Sequence, residues 1–243
     1  MNVLCIGNSF SVDANRYLYE IARKGGVEVK VFSLYIGGCT LGTHYRNMLS
    51  ERPAYFLYHN GMSTGFHVSM KDALLNRQWD VVTIQQGSHE SFKPDTYFPY
   101  ANELVDYVHK MVPKAKIVVH QTWAYEQGSE KLAHFGFEDQ KDMFTRLESA
   151  YQQLCDTVQA AGIIPSGELM QKMLASGFEK VHRDTFHASL GAGRYAMGLL
   201  WYRMLTGADV MDNEFCDFDE AVTPEQVQTI KQLVQAYQPL RLK

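Results

Sequence analysis

Ser9, Asp184 and His187 are the three residue types that cooperate in nucleophilic acyl transfer. The last two stand in a D-x-x-H spacing, Asp184-Thr185-Phe186-His187. A serine hydroxyl is a weak nucleophile until a base takes its proton, and the base needs a carboxylate to hold its tautomer. One turn of D-x-x-H can supply both, provided the loop folds back over the region of Ser9. Acyl transfer also needs donors aimed at the developing oxyanion, and backbone N–H groups near glycine or side-chain amides serve there. Gly38, in Gly37-Gly38-Cys39-Thr40, and the pair Gln85-Gln86 are of the right type. Each also has a plainer reading. Ser9 alone reads first as a turn or helix-capping serine, Asp184 as a helix-entry cap, and the glutamines as structural amides.

The elements that must position these residues follow from the hydrophobic pattern. Residues 3–6 form an apolar run broken by Gly7-Asn8, which is how a buried strand ends, with Ser9 directly behind. In an open α/β sheet, chemistry gathers beyond the carboxyl ends of the strands. Asp13 can cap the helix that follows, with Tyr17, Leu18, Ile21 and Ala22 as its apolar stripe. Residues 27–34 alternate as a second strand that runs into the Gly37-Gly38 loop. Residues 41–50 read as a short helix. Asn60-Gly61 between aromatic-rich runs signals a hairpin, taken as an insertion of about 51–70 that projects from the sheet over the site.

Residues 79–84 form a third strand ending in Gln85-Gln86-Gly87-Ser88-His89-Glu90. Residues 117–119 form a fourth ending in His120-Gln121-Thr122-Trp123, and residues 163–164 a short fifth. Residues 125–137 read as a surface loop. Helical patterns cover 97–111, 144–161, 168–175, 190–205 and the stretch from Pro224. Strands alternating with helices imply parallel βαβ units in a three-layer α/β/α sandwich, one domain over 1–243.

Composition narrows the function. The chain has 243 residues, 46% hydrophobic, with a formal net charge of −4, and no basic run that would suit nucleic acid. Cys5, Cys39, Cys155 and Cys216 form no CxxC pair, and the nine histidines show no H-x-x-x-H or H-x-E spacing, so no metal is expected. No signal segment and no apolar run of membrane-spanning length is seen, so the expectation is a soluble, cytoplasmic protein with no membrane partner.

Gly7-Asn8-Ser9-Phe10, a glycine loop at Gly38, a polar third strand end and a C-terminal D-x-x-H together resemble the SGNH hydrolases, also called GDSL-type esterases. The nearest likeness is to a branch that opens with G-N-S-F-S. The resemblance implies a flavodoxin-like parallel sheet and ester hydrolysis through an acyl-enzyme, with no cofactor. It implies Ser9 as nucleophile, His187 as general base and Asp184 as its orienter. It also implies Ser9 and Gly38 N–H groups in the oxyanion hole.

Two departures stand out. Asn8 replaces the usual aspartate, and the third block lacks its Gly-x-Asn-Asp. Aligning Gly87 to that glycine puts His89 at the asparagine position. Gln85, with Gln86 next, is the favoured replacement donor. His89 and Trp123 are expected in the pocket wall. The aromatic-rich insertion, Trp123 and the polar strand ends suit an acylated sugar or another small ester. Two other readings are a binding protein on the same fold without turnover, and a nucleotide- or flavin-binding protein holding phosphate at Gly7-Asn8-Ser9. Against the second, neither G-x-G-x-x-G nor GxxxxGK[ST] occurs.

Overall fold

The computed structural model describes residues 1–242. Seven strands form one sheet: β1 (Asn2–Gly7), β2 (Lys30–Tyr35), β3 (Tyr55–His59), β4 (Met62–Val68), β5 (Val81–Ile84), β6 (Lys116–Gln121) and β7 (Ile163–Pro165). Their order is β4-β3-β2-β1-β5-β6-β7. Strands β1, β2, β5, β6 and β7 run parallel, β3 pairs antiparallel with β2, and β4 pairs antiparallel with β3. The helices are α1 (Ser9–Asn15), α2 (Leu18–Lys24), α3 (Leu41–Ser50), α4 (Met70–Leu75), α5 (Tyr100–Met111), α6 (Glu130–His134), α7 (Gln140–Thr157), α8 (Ser166–Ala175), α9 (Ala192–Thr206) and α10 (Pro224–Gln235).

The alternation of β1 explains the three layers. Val3 and Cys5 pack into one core with Leu18 and Ile21 of α2, Leu169 and Met170 of α8, Leu199 of α9 and Ile230 of α10. Leu4 and Ile6 point the other way, toward Leu41 of α3, Leu74 of α4, Leu104 of α5 and Leu147 of α7. A parallel strand covered on both faces has no polar side to show, hence its continuous apolar run. The chain leaves β1 first to β2 on one side and later to β5 on the other. Ser9 therefore stands at the topological switch point, where open sheets bind their ligands.

Two expectations from the sequence change here. The first helix is in fact two, α1 and α2, and its N-cap is Asn8, whose side chain accepts from the Phe10 N–H. Asp13 is no cap but a buried carboxylate within α1.

The 51–70 segment is also not an insertion over the site. It forms β3 and β4, which extend the main sheet beside β2 with Phe32 opposite His59 and Tyr35 opposite Phe56. That register sends the Asn60-Gly61 turn to the amino end of β2, the far end from Ser9. There the Asn60 side chain accepts from the Val31 N–H at 3.0 Å. Both turn residues have positive φ, the signature of a two-residue hairpin. A Cβ on Gly61 would lie 2.3 Å from the Arg16 carbonyl oxygen, so only glycine fits.

Candidate active site

Ser9 opens α1, where the first-turn N–H groups have no partner within the helix. Its hydroxyl lies 2.7 Å from His187 Nε2. His187 Nδ1 lies 2.8 Å from Asp184 Oδ2, and the His187 backbone N–H donates to Asp184 Oδ1 at 2.8 Å. A carboxylate can only accept, so Nδ1 carries the ring proton and Nε2 presents its lone pair to the serine. Asp184 is exposed on one side, and the partial loss of water on the other would alone raise its pKa. The hydrogen bonds from His187 and the charge of Arg183 together outweigh that and hold it below the usual carboxylate range.

The loop that carries this pair has a forced shape. Thr185, between the two, sits at φ 69°, in the left-handed region that a β-branched residue rarely enters. Its carbonyl accepts from the Glu126 N–H at 2.7 Å. The next carbonyl, of Phe186, accepts from Trp123 Nε1–H at 2.8 Å. Trp123 is fully buried and packs its ring 4.3 Å from that of Phe10. It therefore supports the histidine loop from beneath and does not form a pocket wall. His89 stands half-buried on a turn closed by the Glu90 N–H to the Gly87 carbonyl at 2.9 Å.

Gly38 has φ +63° and an open flank, and neither its N–H nor that of Ser9 has an acceptor among the described residues. A Cβ on Gly87 would meet the Gly38 and Cys39 carbonyls at 3.1 and 3.2 Å, so the loops after β2 and β5 are pressed together. The favoured glutamines do not face the oxyanion region. Gln85 is buried; its Nε2 donates to Asn8 Oδ1 at 2.8 Å and its Oε1 meets His120 Nδ1 at 2.7 Å. Gln86 is buried too. Its Oε1 accepts from the Leu41 and Gly87 N–H groups and its Nε2 donates to Thr96. Both amides hold loops, the plainer of their two readings.

The buried chain of donors and acceptors has one direction. The Phe10 N–H can only donate and the Cys39 carbonyl can only accept. Asn8 therefore turns Oδ1 to Phe10 and Gln85, and Nδ2 to Cys39 at 3.0 Å. Gln85 must then present Oε1 to His120, which carries its proton on Nδ1. His120 Nε2 accepts from Ser166 Oγ at 3.1 Å. This accounts for Asn8 in place of aspartate: a carboxylate has no proton for the Cys39 carbonyl next to Gly38. Asn8→Asp is expected to lose about 1–3 kcal/mol from two facing acceptors in a buried spot. Urea melts check this, and an unchanged midpoint would contradict it.

Three histidines are held neutral by burial. His44 and His120 are pushed down to about 3 and His182 to about 4. An unfolded chain binds those protons near pH 6.5. Stability is then complete above about pH 6.5 and is lost as pH falls toward 4 and 3. Denaturant midpoints should decline steadily from pH 7 to 4, and a flat profile would count against this.

No group of three or more His, Cys, Asp or Glu is arranged to hold a metal among the described residues. No described helix is long and apolar enough to cross a membrane. Cavities of about 790 and 540 Å³ share Asp80 and Lys114 at the amino ends of the strands, away from Ser9.

A family model described as a domain of unknown function, DUF4886, matches residues 2–236. A DUF4886 family protein from Bacteroides uniformis is similar in structure, with a TM-score of 0.89 at 29% identity over 97% of this chain and 93% of that one. A candidate SGNH hydrolase from Slackia heliotrinireducens matches with a TM-score of 0.59 at 25% identity, over 84% of this chain and 97% of that one. A candidate GDSL-like lipase from Parabacteroides merdae shares the fold at a TM-score of 0.51 and 15% identity, over 82% and 93% of the two chains. A search among curated proteins finds no match. The layered sheet with its helices is thus the SGNH hydrolase fold, and by the match over nearly its whole length the chain belongs to the DUF4886 family.

Proposed function

We propose that the protein is a serine hydrolase that cleaves a small acyl ester through an acyl-enzyme. The observation that carries this reading is the 2.7 Å contact between Ser9 Oγ and His187 Nε2, with Asp184 on the other ring nitrogen. It lies within the reach a general base needs. The names of the structural relatives support hydrolase chemistry of this class.

In this mechanism Ser9 Oγ attacks the acyl carbon while His187 Nε2 takes its proton. The Asp184 carboxylate stabilises the imidazolium and does not itself take the proton. The oxyanion is met by the free N–H groups of Ser9 and Gly38. With both glutamines engaged elsewhere, His89 is the side-chain donor, on the turn packed against the Gly38 loop. His187 then protonates the leaving alcohol. It next activates a water that attacks the acyl-Ser9 carbonyl, and Ser9 departs with the proton returned. The grounds for a sugar substrate weaken, because Trp123 is buried and the aromatic hairpin turns at the far end of the sheet.

The test is a fluorophosphonate probe together with p-nitrophenyl acetate. One probe per chain on Ser9 and measurable ester turnover are expected. A folded protein that neither labels nor hydrolyses would overturn the reading. Nucleotide released on denaturation would favour the phosphate-binding alternative.

A further inference from the structure

We propose that Asp13 and Arg183 form a clamp that sets the separation of Ser9 and His187. Asp13 lies four residues after Ser9 on α1, about one helical turn further along. It is buried, yet it holds a full set of partners. Arg183 Nη1 donates to Oδ1 and Oδ2 at 3.0 and 2.9 Å. Arg194 Nε donates to Oδ1 at 2.9 Å, and the Ala188 N–H to Oδ2 at 3.2 Å.

Those partners flank the base on both sides. Ala188 follows His187 directly, and Arg183 precedes the Asp184-His187 pair. Arg183 Nη1 also donates to the Ala188 carbonyl, and the Arg183 backbone N–H to the His187 carbonyl at 3.0 Å. One carboxylate on the nucleophile's helix thus fastens both ends of the loop that carries the base. Arg194, from α9, is fixed in turn by Asp219, which also pairs with Arg16 at the C-cap of α1. The second guanidinium therefore anchors Asp13 from a third direction.

The contact joins the helix that carries Ser9 to the loop that carries His187, about one helical turn from the Ser9 hydroxyl. A clamp there bears on rate, because misplacing a reacting group by about 1 Å can cost about 10²-fold in rate. Neither side chain touches the reacting atoms, so both are positioning residues.

The rate arm rests on the hydrolase reading and the distance arm does not. Arg183 is partly exposed, so Arg183→Gln should fold even if Asp13→Asn does not. Arg183→Gln is expected to lower kcat on p-nitrophenyl acetate by about 10- to 100-fold with KM within about twofold. Asp13→Asn with Arg183→Gln should lose less than the product of the two single losses, because both remove the shared Asp13–Arg183 contact. A variant that melts lower but keeps its kcat well below the melting temperature would overturn the clamp. So would losses that multiply, or a loss confined to KM.

Independently of turnover, the crystal structure of Arg183→Gln should show His187 Nε2 beyond about 3.5 Å from Ser9 Oγ, outside hydrogen-bond range. Retention near the parental distance would sink the proposal. Failure of the parent protein to label or hydrolyse would remove the hydrolase reading and leave the clamp to this distance alone.

Discussion

Ser9→Ala is expected to abolish ester hydrolysis, with kcat/KM falling by about 10⁴-fold or more, while the protein melts where the parent does. The size follows from how a triad works: members act as a unit, and removing the nucleophile leaves only binding and oxyanion stabilisation. The thermal result follows from position. The Ser9 hydroxyl has one partner, His187 Nε2, on a partly exposed rim. The groups that hold the strand end together belong to Asn8 and Ser11, not to Ser9. Steady-state kinetics with a scanning melt check both parts. Residual activity within tenfold of the parent would mean that Ser9 is not the nucleophile.

Gln85→Leu and His89→Ala should separate structure from catalysis. Leucine at 85 leaves His120 Nδ1–H without its acceptor and takes a donor from Asn8 Oδ1, both in fully buried surroundings. The orphaned His120 N–H costs about 1–3 kcal/mol, and the bond lost by Asn8 Oδ1, which keeps the Phe10 N–H, about 0.5–1.5 more, or about 1.5–4.5 together. In a domain of this size that lowers the melting temperature by roughly 5–15 °C. His89→Ala should do the reverse. Losing one oxyanion donor costs about 10²- to 10³-fold in kcat, and no described hydrogen bond or buried packing depends on this half-buried side chain. Urea melts and single-turnover kinetics on the two variants decide. A stable Gln85→Leu protein with a 10²-fold lower kcat would return the donor role to Gln85.

The layered sheet was legible in the chain because burial on both faces writes itself into composition. The stretches read as strands at residues 3–6, 79–84 and 117–119 lie in the inner strands β1, β5 and β6, with β5 starting only at Val81, and turn residues stand behind them. Asn60-Gly61 announced its hairpin correctly for the same local reason. Where the hairpin went was not local. Antiparallel pairing of β3 with β2 sends its turn to the amino end of the sheet, and no short-range pattern encodes that choice. Asp13 misled in a similar way. An aspartate near a helix start ordinarily caps it, but its partners Arg183 and Arg194 are roughly 170 and 180 residues away.

The sequence by itself determined the strand ends, the residue types at them and the D-x-x-H turn, since these rest on local backbone preference and hydrophobic period. Only the tertiary structure decided the uses of those groups. It brought His187 to Ser9, turned Gln85 and Gln86 inward to hold loops, and put Trp123 beneath the His187 loop. It also made Asn8 a donor to Cys39. Amides, histidines and carboxylates can donate, accept or both, and the choice is made by whichever fixed backbone group the fold sets against them.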